Sequence, residues 1–110
     1  MEVKMAIQSM DVEELKQKLD KQEDLLLIDC REQQEWNEGH IKQAKFMPLS
    51  LLEEMWPWLK GKEESTIVMQ CRSGKRSMKA ATYLEEQGFK KLWNLEGGIL
   101  DWNDHGYETE

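Results

Sequence analysis

Apolar positions along the chain fall into short continuous runs that alternate with stretches of helical spacing. Leu25–Asp29 and Thr66–Gln70 are runs of five residues, and such runs are typical of buried parallel strands. Asp11 with Glu14, and Ser50 with Glu53, have the spacing of capping boxes that begin helices. Five strands are predicted, and they lie at Met5–Ser9 (weak), Leu25–Asp29, Lys45–Met47 (brief), Thr66–Gln70 and Leu92–Asn94 (short). Helices are predicted between them, from Asp11, at Glu32–Asn37 (short), from Ser50, at Ser77–Gln87 and, after the last strand, at Ile99–Asn103. The helix from Ser50 should stop near Trp56, because Pro57 follows.

Strands that alternate with helices predict an α/β fold of three layers, α/β/α, around a central and mostly parallel sheet of about five strands. In folds of this class the reactive loops lie at the carboxyl ends of the strands. Cys71 follows the strand Thr66–Gln70, and Asp29 and Cys30 end the strand at Leu25–Asp29. We therefore expect these three residues at the same edge of the sheet.

Length and composition describe one folded domain, which we expect to span residues 1–110. A chain of 110 residues can bury a core without disulfides or metals, and 39% hydrophobic with 34% charged residues is a globular balance. The net charge of -7 argues against nucleic acid and anionic membrane as partners. The first residues contain no long apolar segment, so we expect a cytoplasmic protein.

Cys30 and Cys71 are the two cysteines of the chain. Two cysteines do not make a disulfide framework, and no cysteine and histidine residues have the spacing of a zinc site. Both thiols are expected to stay reduced in the cytoplasm. The cysteines therefore predict no disulfide framework and no zinc site.

The segment that follows Thr66–Gln70 has the residues of an anion site built around a thiol. Cys71 lies between a strand and a helix N-terminus, and such a position lowers a cysteine pKa from about 8.5. Gly74 lets the backbone curl so that successive N–H groups point inward. Three cations of this otherwise acidic chain lie here and can bind a charged substrate: Arg72, Lys75 and Arg76. A merely buried structural cysteine would need none of these features.

The run Cys71–Ser77 resembles the active-site loop of the rhodanese family of sulfurtransferases. Two further segments are similar to the other signatures of that family, in the same order along the chain. They are Asp29-Cys30-Arg31 with Glu35-Trp36 and Gly39-His40-Ile41, and Leu95-Glu96-Gly97-Gly98-Ile99 with Trp102.

The resemblance implies a two-step sulfur transfer with Cys71 as the catalytic residue and persulfide carrier. It also implies that neither a metal nor an organic cofactor is required. The donor would be a small sulfur-containing anion such as thiosulfate, and the acceptor would be cyanide in assays, or a thiol or sulfur-acceptor protein in cells. The expected substrate-binding residues are Arg72, Ser73, Gly74, Lys75, Arg76 and Ser77. The loop from Cys71 to Arg76 has six residues, one fewer than in related phosphatases, and this length suits one transferred sulfur atom.

Four residues of the first signature are expected to support the structure. Arg31 and Glu35 are four positions apart and have the spacing of an ion pair, with Asp29 in the same structural group. His40 is expected to fix the turn at Gly39 with a hydrogen bond, since an ionised thiolate needs no general base.

Several alternatives remain open at this point. Cys30 is expected to pack in the core, but it can also be a thiol that attacks a Cys71 persulfide. The chain can be a persulfide-carrying or docking module with little turnover of its own. A phosphatase or an arsenate reductase is the less favoured alternative, because of the loop length.

Overall fold

The computed structural model describes residues 7–110 as five strands and five α-helices, with two 3₁₀ turns at Leu49–Leu51 and Trp56–Leu59. The strands are β1 (Gln8–Met10), β2 (Leu26–Asp29), β3 (Lys45–Phe46), β4 (Thr66–Gln70) and β5 (Lys91–Leu95). The helices are α1 (Val12–Asp20), α2 (Gln33–Glu38), α3 (Leu52–Met55), α4 (Lys75–Glu86) and α5 (Gly98–Asp104).

The five strands form one sheet in the order β1-β5-β4-β2-β3, and every neighbouring pair is parallel. β4 lies at the centre, with β2 and β5 on either side. In the register of β2 and β4, Asp29 is the partner of Gln70, so both strands end at the same level. The carboxyl ends of β2 and β4 thus form the edge of the sheet at which we expect the reactive residues.

Helices cover both faces of the sheet, because successive strand residues point to opposite sides. Ile28 and Met69 belong to a core cluster with residues of α3 and α4. Leu27 and Val68 belong to a second cluster with residues of α1 and α5. The predicted α/β/α layers and the mostly parallel sheet of about five strands are therefore confirmed.

Most element bounds agree with the pattern of the sequence. The strand at Thr66–Gln70 is confirmed without change, and Asp11 caps α1 by accepting a hydrogen bond of 2.8 Å from the backbone N–H of Glu14. The strand predicted at Met5–Ser9 lies in part outside the described residues. Its described counterpart, β1, extends to Met10.

The capping box predicted at Ser50 and Glu53 is wrong. Ser50 lies within a 3₁₀ turn, and its hydroxyl donates to the carboxylate of Glu32, which precedes α2. The short helix α3 begins only at Leu52. The predicted stop near Trp56 is confirmed, because Pro57 lies in the 3₁₀ turn that follows α3.

The helices of residues 7–110 are all short or polar, and none of them has the length and apolar character needed to span a bilayer.

Candidate active site

Cys71 and Cys30 lie side by side at the carboxyl edge of the sheet. Each directly follows its strand, β4 or β2, and the backbone N–H of Cys30 donates to Gln70 O at 2.9 Å. Both cysteines are buried in the core cluster on the α4 side of the sheet. The two cysteines thus share one edge of the sheet, as the sequence predicts, and the structure shows in addition that their strands are neighbours.

The backbone after Cys71 curls so that hydrogen-bond donors surround its sulfur atom. Gly74 has a φ of 108°, a left-handed conformation that a residue with a Cβ adopts at a cost. The Gly74 N–H donates to Cys71 Sγ at 3.1 Å, and the Ser77 hydroxyl lies 3.3 Å from the same atom. Four residues after the cysteine, α4 begins with its N-terminus beside the sulfur.

These donors stabilise a negative charge on Cys71. Burial by itself raises the pKa of the Cys71 thiol, since its side chain is almost inaccessible to water. Hydrogen bonds from the Ser77 hydroxyl and from the backbone N–H groups of Ser77, Gly74 and Ser73 outweigh burial, and the pKa lies below its ordinary value. The site therefore favours a thiolate.

The three cations of the loop have different surroundings. Arg72 and Lys75 are exposed, and so is Ser73. Arg76 is partly buried, and its two terminal nitrogens donate to the two carboxylate oxygens of Glu35 at 2.7 and 2.8 Å. This bidentate ion pair joins the start of α4 to α2 across 41 positions of sequence.

The ion pair predicted between Arg31 and Glu35 is wrong, since each residue pairs elsewhere. Arg31 pairs with Asp29, with Nε at 3.0 Å and Nη2 at 2.8 Å from its carboxylate oxygens, and both residues are buried. Arg31 also donates to the carbonyl oxygen of Gly39 at 2.7 Å. The Asp29–Arg31 pair therefore holds the end of α2 against the end of β2.

His40 lies away from the sulfur, in a structural setting. Its ring stacks on Trp36 with 3.6 Å between ring centroids, and its Nδ1 is 3.1 Å from the Trp36 carbonyl oxygen. Its backbone exchanges two hydrogen bonds with Glu110. These contacts give His40 a role in the turn after α2 and in fixing the C-terminal residues.

The first turn of α5 forms backbone hydrogen bonds with the loop that begins at Cys71. The backbone N–H groups of Ile99 and Leu100 donate to the carbonyl oxygens of Cys71 and Arg72 at 3.0 and 3.1 Å. Gly98 has a φ of 56°, and a Cβ there would lie 2.3 Å from the Arg72 carbonyl oxygen. The paired glycines of the sequence indicate a tight turn, but only the fold shows that this turn contacts the loop.

Asn94 belongs to the site although the sequence predicts it only as a strand residue. It lies on β5, is 4% exposed, and bonds with its side-chain amide to both Gly74 and Ser77. The sequence offers one signal that Asn94 belongs to the site, namely that it is a polar residue in the short apolar strand predicted at Leu92–Asn94.

Cys30 differs from Cys71 in its electrostatic setting. Burial raises the pKa of the Cys30 thiol far above its ordinary range, and the neighbouring Cys71 and Asp29 raise it further. Cys30 is therefore a neutral thiol that packs in the core beside Cys71, whose pKa is shifted in the opposite direction.

We expect Gly98→Ala to destabilise the protein more than a glycine substitution at a comparable backbone conformation. Gly106 is the matched control, because it has a φ of 75° and no atom within 4 Å of an added Cβ. Gly106→Ala should cost about 1 kcal/mol of unfolding free energy from backbone strain. Gly98→Ala should cost at least about 2 kcal/mol more, because the Cβ collides with the backbone of the loop. Equal denaturant midpoints for the two variants would contradict the close approach of α5.

The Glu35–Arg76 pair predicts a pH-dependent contribution to stability. The hydrogen bond from Arg76 is the main cause that lowers the pKa of Glu35 from 4.5 to about 2, against a smaller opposing effect of burial. A carboxyl with a lowered folded-state pKa stabilises the protein above its unfolded pKa, and this contribution is lost as the pH falls from about 5 to about 2. Glu35→Gln should therefore lower the unfolding free energy by about 1 kcal/mol at neutral pH.

The stability difference between Glu35→Gln and the wild type should shrink in acid, as followed by urea unfolding at several pH values. Glu38→Gln is the matched control, since Glu38 is exposed on the same helix and has no ion pair among residues 7–110. A constant difference for Glu35→Gln down to pH 2, or an equal loss in Glu38→Gln, would disprove the contribution of the ion pair.

Comparison with known protein families gives a match over most of the chain. The sequence model of the family described as Rhodanese-like domain matches residues 11–105. Curated relatives are similar over the same part. YtwF of Bacillus subtilis, which is named as a sulfurtransferase, is 41% identical over 98 residues, or 89% of this chain and 92% of YtwF. A protein of Allochromatium vinosum named sulfurtransferase is 37% identical over 100 residues, or 91% of this chain and 92% of the relative.

A longer relative and a solved structure extend the comparison. YrkF of Bacillus subtilis, which is named as a sulfur carrier protein, is 37% identical over 97 residues, and the match spans 88% of this chain and 51% of YrkF. The crystal structure of a rhodanese-like domain protein from Staphylococcus aureus superposes with a TM-score of 0.81 at 30% identity. It covers 93% of this chain and 97% of that one.

Proposed function

Since the chain belongs to the rhodanese-like domain family, we propose that it is a sulfurtransferase that carries sulfur as a persulfide on Cys71. The donor in this proposal is a small sulfane anion such as thiosulfate. The acceptor is a thiophile, namely cyanide in an assay, and a thiol or a sulfur-acceptor protein in a cell. Relatives named as sulfurtransferases support the general class of reaction.

One observation carries the proposal, and it is the set of hydrogen-bond donors directed at one sulfur atom. The Gly74 N–H and the Ser77 hydroxyl lie 3.1 and 3.3 Å from Cys71 Sγ, at the N-terminus of α4. Each hydrogen bond to a charged group contributes about 1.5–3 kcal/mol. The same donors that favour a thiolate also stabilise a terminal persulfide anion, because both place a negative charge on sulfur at this position.

The proposed reaction has two displacement steps. The Cys71 thiolate attacks the outer sulfur of thiosulfate, a new S–S bond forms, and the S–S bond of the donor breaks to release sulfite with its electron pair. The acceptor nucleophile then attacks the outer sulfur of the Cys71 persulfide, and the thiolate leaves. Each step transfers one sulfur atom, and neither needs an external oxidant or reductant.

The geometry of the loop agrees with a cargo of one atom. Cys71 is 1% exposed, so its Sγ lies at the bottom of the loop. An S–S bond is about 2 Å long, so the outer sulfur of a persulfide stands about one atom diameter nearer the mouth. A cleft of about 260 Å³ lies beside Arg72 and Leu100 at the flank of the loop, and Cys71 is not among its lining residues.

The loop cations have separate roles in the proposal. Arg72 and Lys75 are exposed and bind the charged end of the donor. Arg76 adds its positive charge while its terminal nitrogens hold Glu35. Ser73, Gly74 and Ser77 supply the hydrogen bonds to sulfur. We further propose that residues 1–110 act as a single domain and work in the cytoplasm, where both thiols stay reduced.

Replacement of the proposed nucleophile tests the central chemistry. Cys71→Ser should lose thiosulfate-to-cyanide sulfur transfer at least about 10³-fold, because a serine hydroxyl is not ionised at neutral pH and forms no persulfide. Cys30→Ser is the matched control and should keep most of the activity if Cys30 only packs. Retained transfer in a folded Cys71→Ser variant would reject the proposal.

Neutral substitutions in the loop test donor recognition. Arg72→Gln and Lys75→Gln should each raise KM for thiosulfate about two- to fivefold, because exposed charge pairs contribute about 0.2–1 kcal/mol. KM for an uncharged sulfane donor should change less. Lys91→Gln, with the same loss of charge at the opposite edge of the sheet, is the control. Equal KM changes in all three variants would show that net charge alone matters.

A persulfide carrier with little turnover of its own is the second candidate. The burial of Cys71 favours it, since a nearly inaccessible sulfur is protected from free acceptors, and so does the similarity to YrkF. The two candidates differ in the lifetime of the loaded form. A sulfurtransferase should lose its sulfur to millimolar cyanide within its turnover time, whereas a carrier should remain loaded until it meets its partner protein.

A further inference from the structure

Asn94 connects the two groups that contact the sulfur of Cys71. Its side-chain Nδ2 donates to the carbonyl oxygen of Gly74 at 3.1 Å. Its Oδ1 accepts a short hydrogen bond from the hydroxyl of Ser77. Gly74 and Ser77 are also the residues whose N–H and hydroxyl lie within 3.3 Å of Cys71 Sγ. One amide of β5 therefore contacts two of the residues that donate to the sulfur.

Hydrogen-bond chemistry fixes the orientation of this amide. The carbonyl oxygen of Gly74 can only accept, so the NH₂ end of Asn94 must face it. The oxygen end must then face Ser77, whose hydroxyl has one proton to donate. Asn94 is also buried, so an amide that lost either partner would carry an unsatisfied polar atom at a cost of about 1–3 kcal/mol. Both contacts are thus strongly favoured together.

The hydroxyl of Ser77 stays near the sulfur because Asn94 contacts it. A serine in a helix readily turns its hydroxyl toward the carbonyl oxygen one turn earlier, which would take Oγ away from the sulfur. The bond to Asn94 holds Oγ on the side of β5 and Cys71, 3.3 Å from the sulfur. The hydroxyl has a single proton, so the sulfur can receive it only in a three-centre hydrogen bond that the amide oxygen of Asn94 shares.

Gly74 is held in a similar way. Its N–H points at the sulfur, while its carbonyl oxygen, which belongs to the next peptide unit, accepts a hydrogen bond from Asn94. The same carbonyl oxygen also accepts the first hydrogen bond of α4, from the backbone N–H of Met78 at 3.3 Å, so Asn94 and α4 hold it together. A hydrogen bond to the carbonyl of this residue therefore limits the rotation of the loop beside Cys71.

We propose that Asn94 is a positioning residue, which holds the Gly74 peptide and the Ser77 hydroxyl in place as hydrogen-bond donors to Cys71 Sγ. The proposal deepens the proposed function, because it explains how the loop keeps its anion-binding geometry. The charged or titratable groups of the loop and of the elements next to it are Cys30 after β2, the exposed Arg72 and Lys75, and Arg76 with its partner Glu35. On the remaining side, α5 contacts the loop through backbone N–H groups.

The test is the pH dependence of Cys71 alkylation by iodoacetamide, with labelling at Cys71 confirmed by peptide mass spectrometry. Asn94→Leu fills a similar volume but forms neither hydrogen bond. It should raise the midpoint of the rate profile by about one pH unit, since one hydrogen bond to a charged group corresponds to about that shift. Asn94→Asp keeps the shape, loses the donor to Gly74 and adds a negative charge, so its midpoint should rise at least as far.

A double substitution separates positioning from a general structural effect. In a Ser77→Ala background, Asn94→Leu should shift the midpoint less than in the wild type, because one of the two positioned donors is already absent. Gln70→Leu is the matched control. Gln70 is also a buried amide, but it donates to the carbonyl oxygen of Cys71 and not to a donor of the sulfur. It should change stability without moving the midpoint.

An unchanged alkylation midpoint in either folded Asn94 variant would overturn the proposal, as would an equal shift in Gln70→Leu. Alkylation requires a thiolate but no sulfur transfer. A failure of the proposed function would therefore appear as a wild type that takes up no sulfur, while the midpoint shift would still be measurable. The two results are distinguishable in the same set of proteins.

Discussion

Hydrogen bonds to the sulfur of Cys71 are the interaction on which the rest of the site depends. A buried cysteine is ordinarily a neutral thiol, and Cys30, one strand away, illustrates that outcome. At Cys71 the donors of Ser73, Gly74 and Ser77 reverse the effect of burial on the thiol pKa. Neighbouring cysteines at the same edge of one sheet thus have pKa shifts of opposite sign, because the loop after Cys71 supplies enough hydrogen bonds to its sulfur to outweigh burial.

A loop that surrounds one atom needs support, and the fold supplies it from several directions. The first turn of α5 bonds to the backbone carbonyl oxygens of Cys71 and Arg72, which requires glycine at position 98. The Arg76–Glu35 pair joins the start of α4 to α2. Asn94 holds the loop from β5. Elements from across the whole chain therefore converge on a loop of six residues, which explains why the signatures of the sequence are so widely spaced.

The sequence predicts most of the fold and the chemical centre of the site, but not the partners of individual side chains. The strand before Cys71 and the three layers follow from local apolar patterns, which the sheet preserves. A spacing of four residues favours an Arg31–Glu35 pair, yet Glu35 pairs with Arg76, 41 positions away. Asn94 is a similar case, since its contacts arise only when β5 packs beside β4. Such pairings depend on tertiary packing, and periodicity contains no information about them.

Mass spectrometry of the intact protein after incubation with thiosulfate is the most direct test of a persulfide on Cys71. The account predicts a gain equal to the mass of one sulfur atom, removed by cyanide and located on the peptide that contains Cys71. The gain should persist when Cys30 is replaced by alanine. An unchanged mass, or a sulfur atom located on Cys30, would contradict the account.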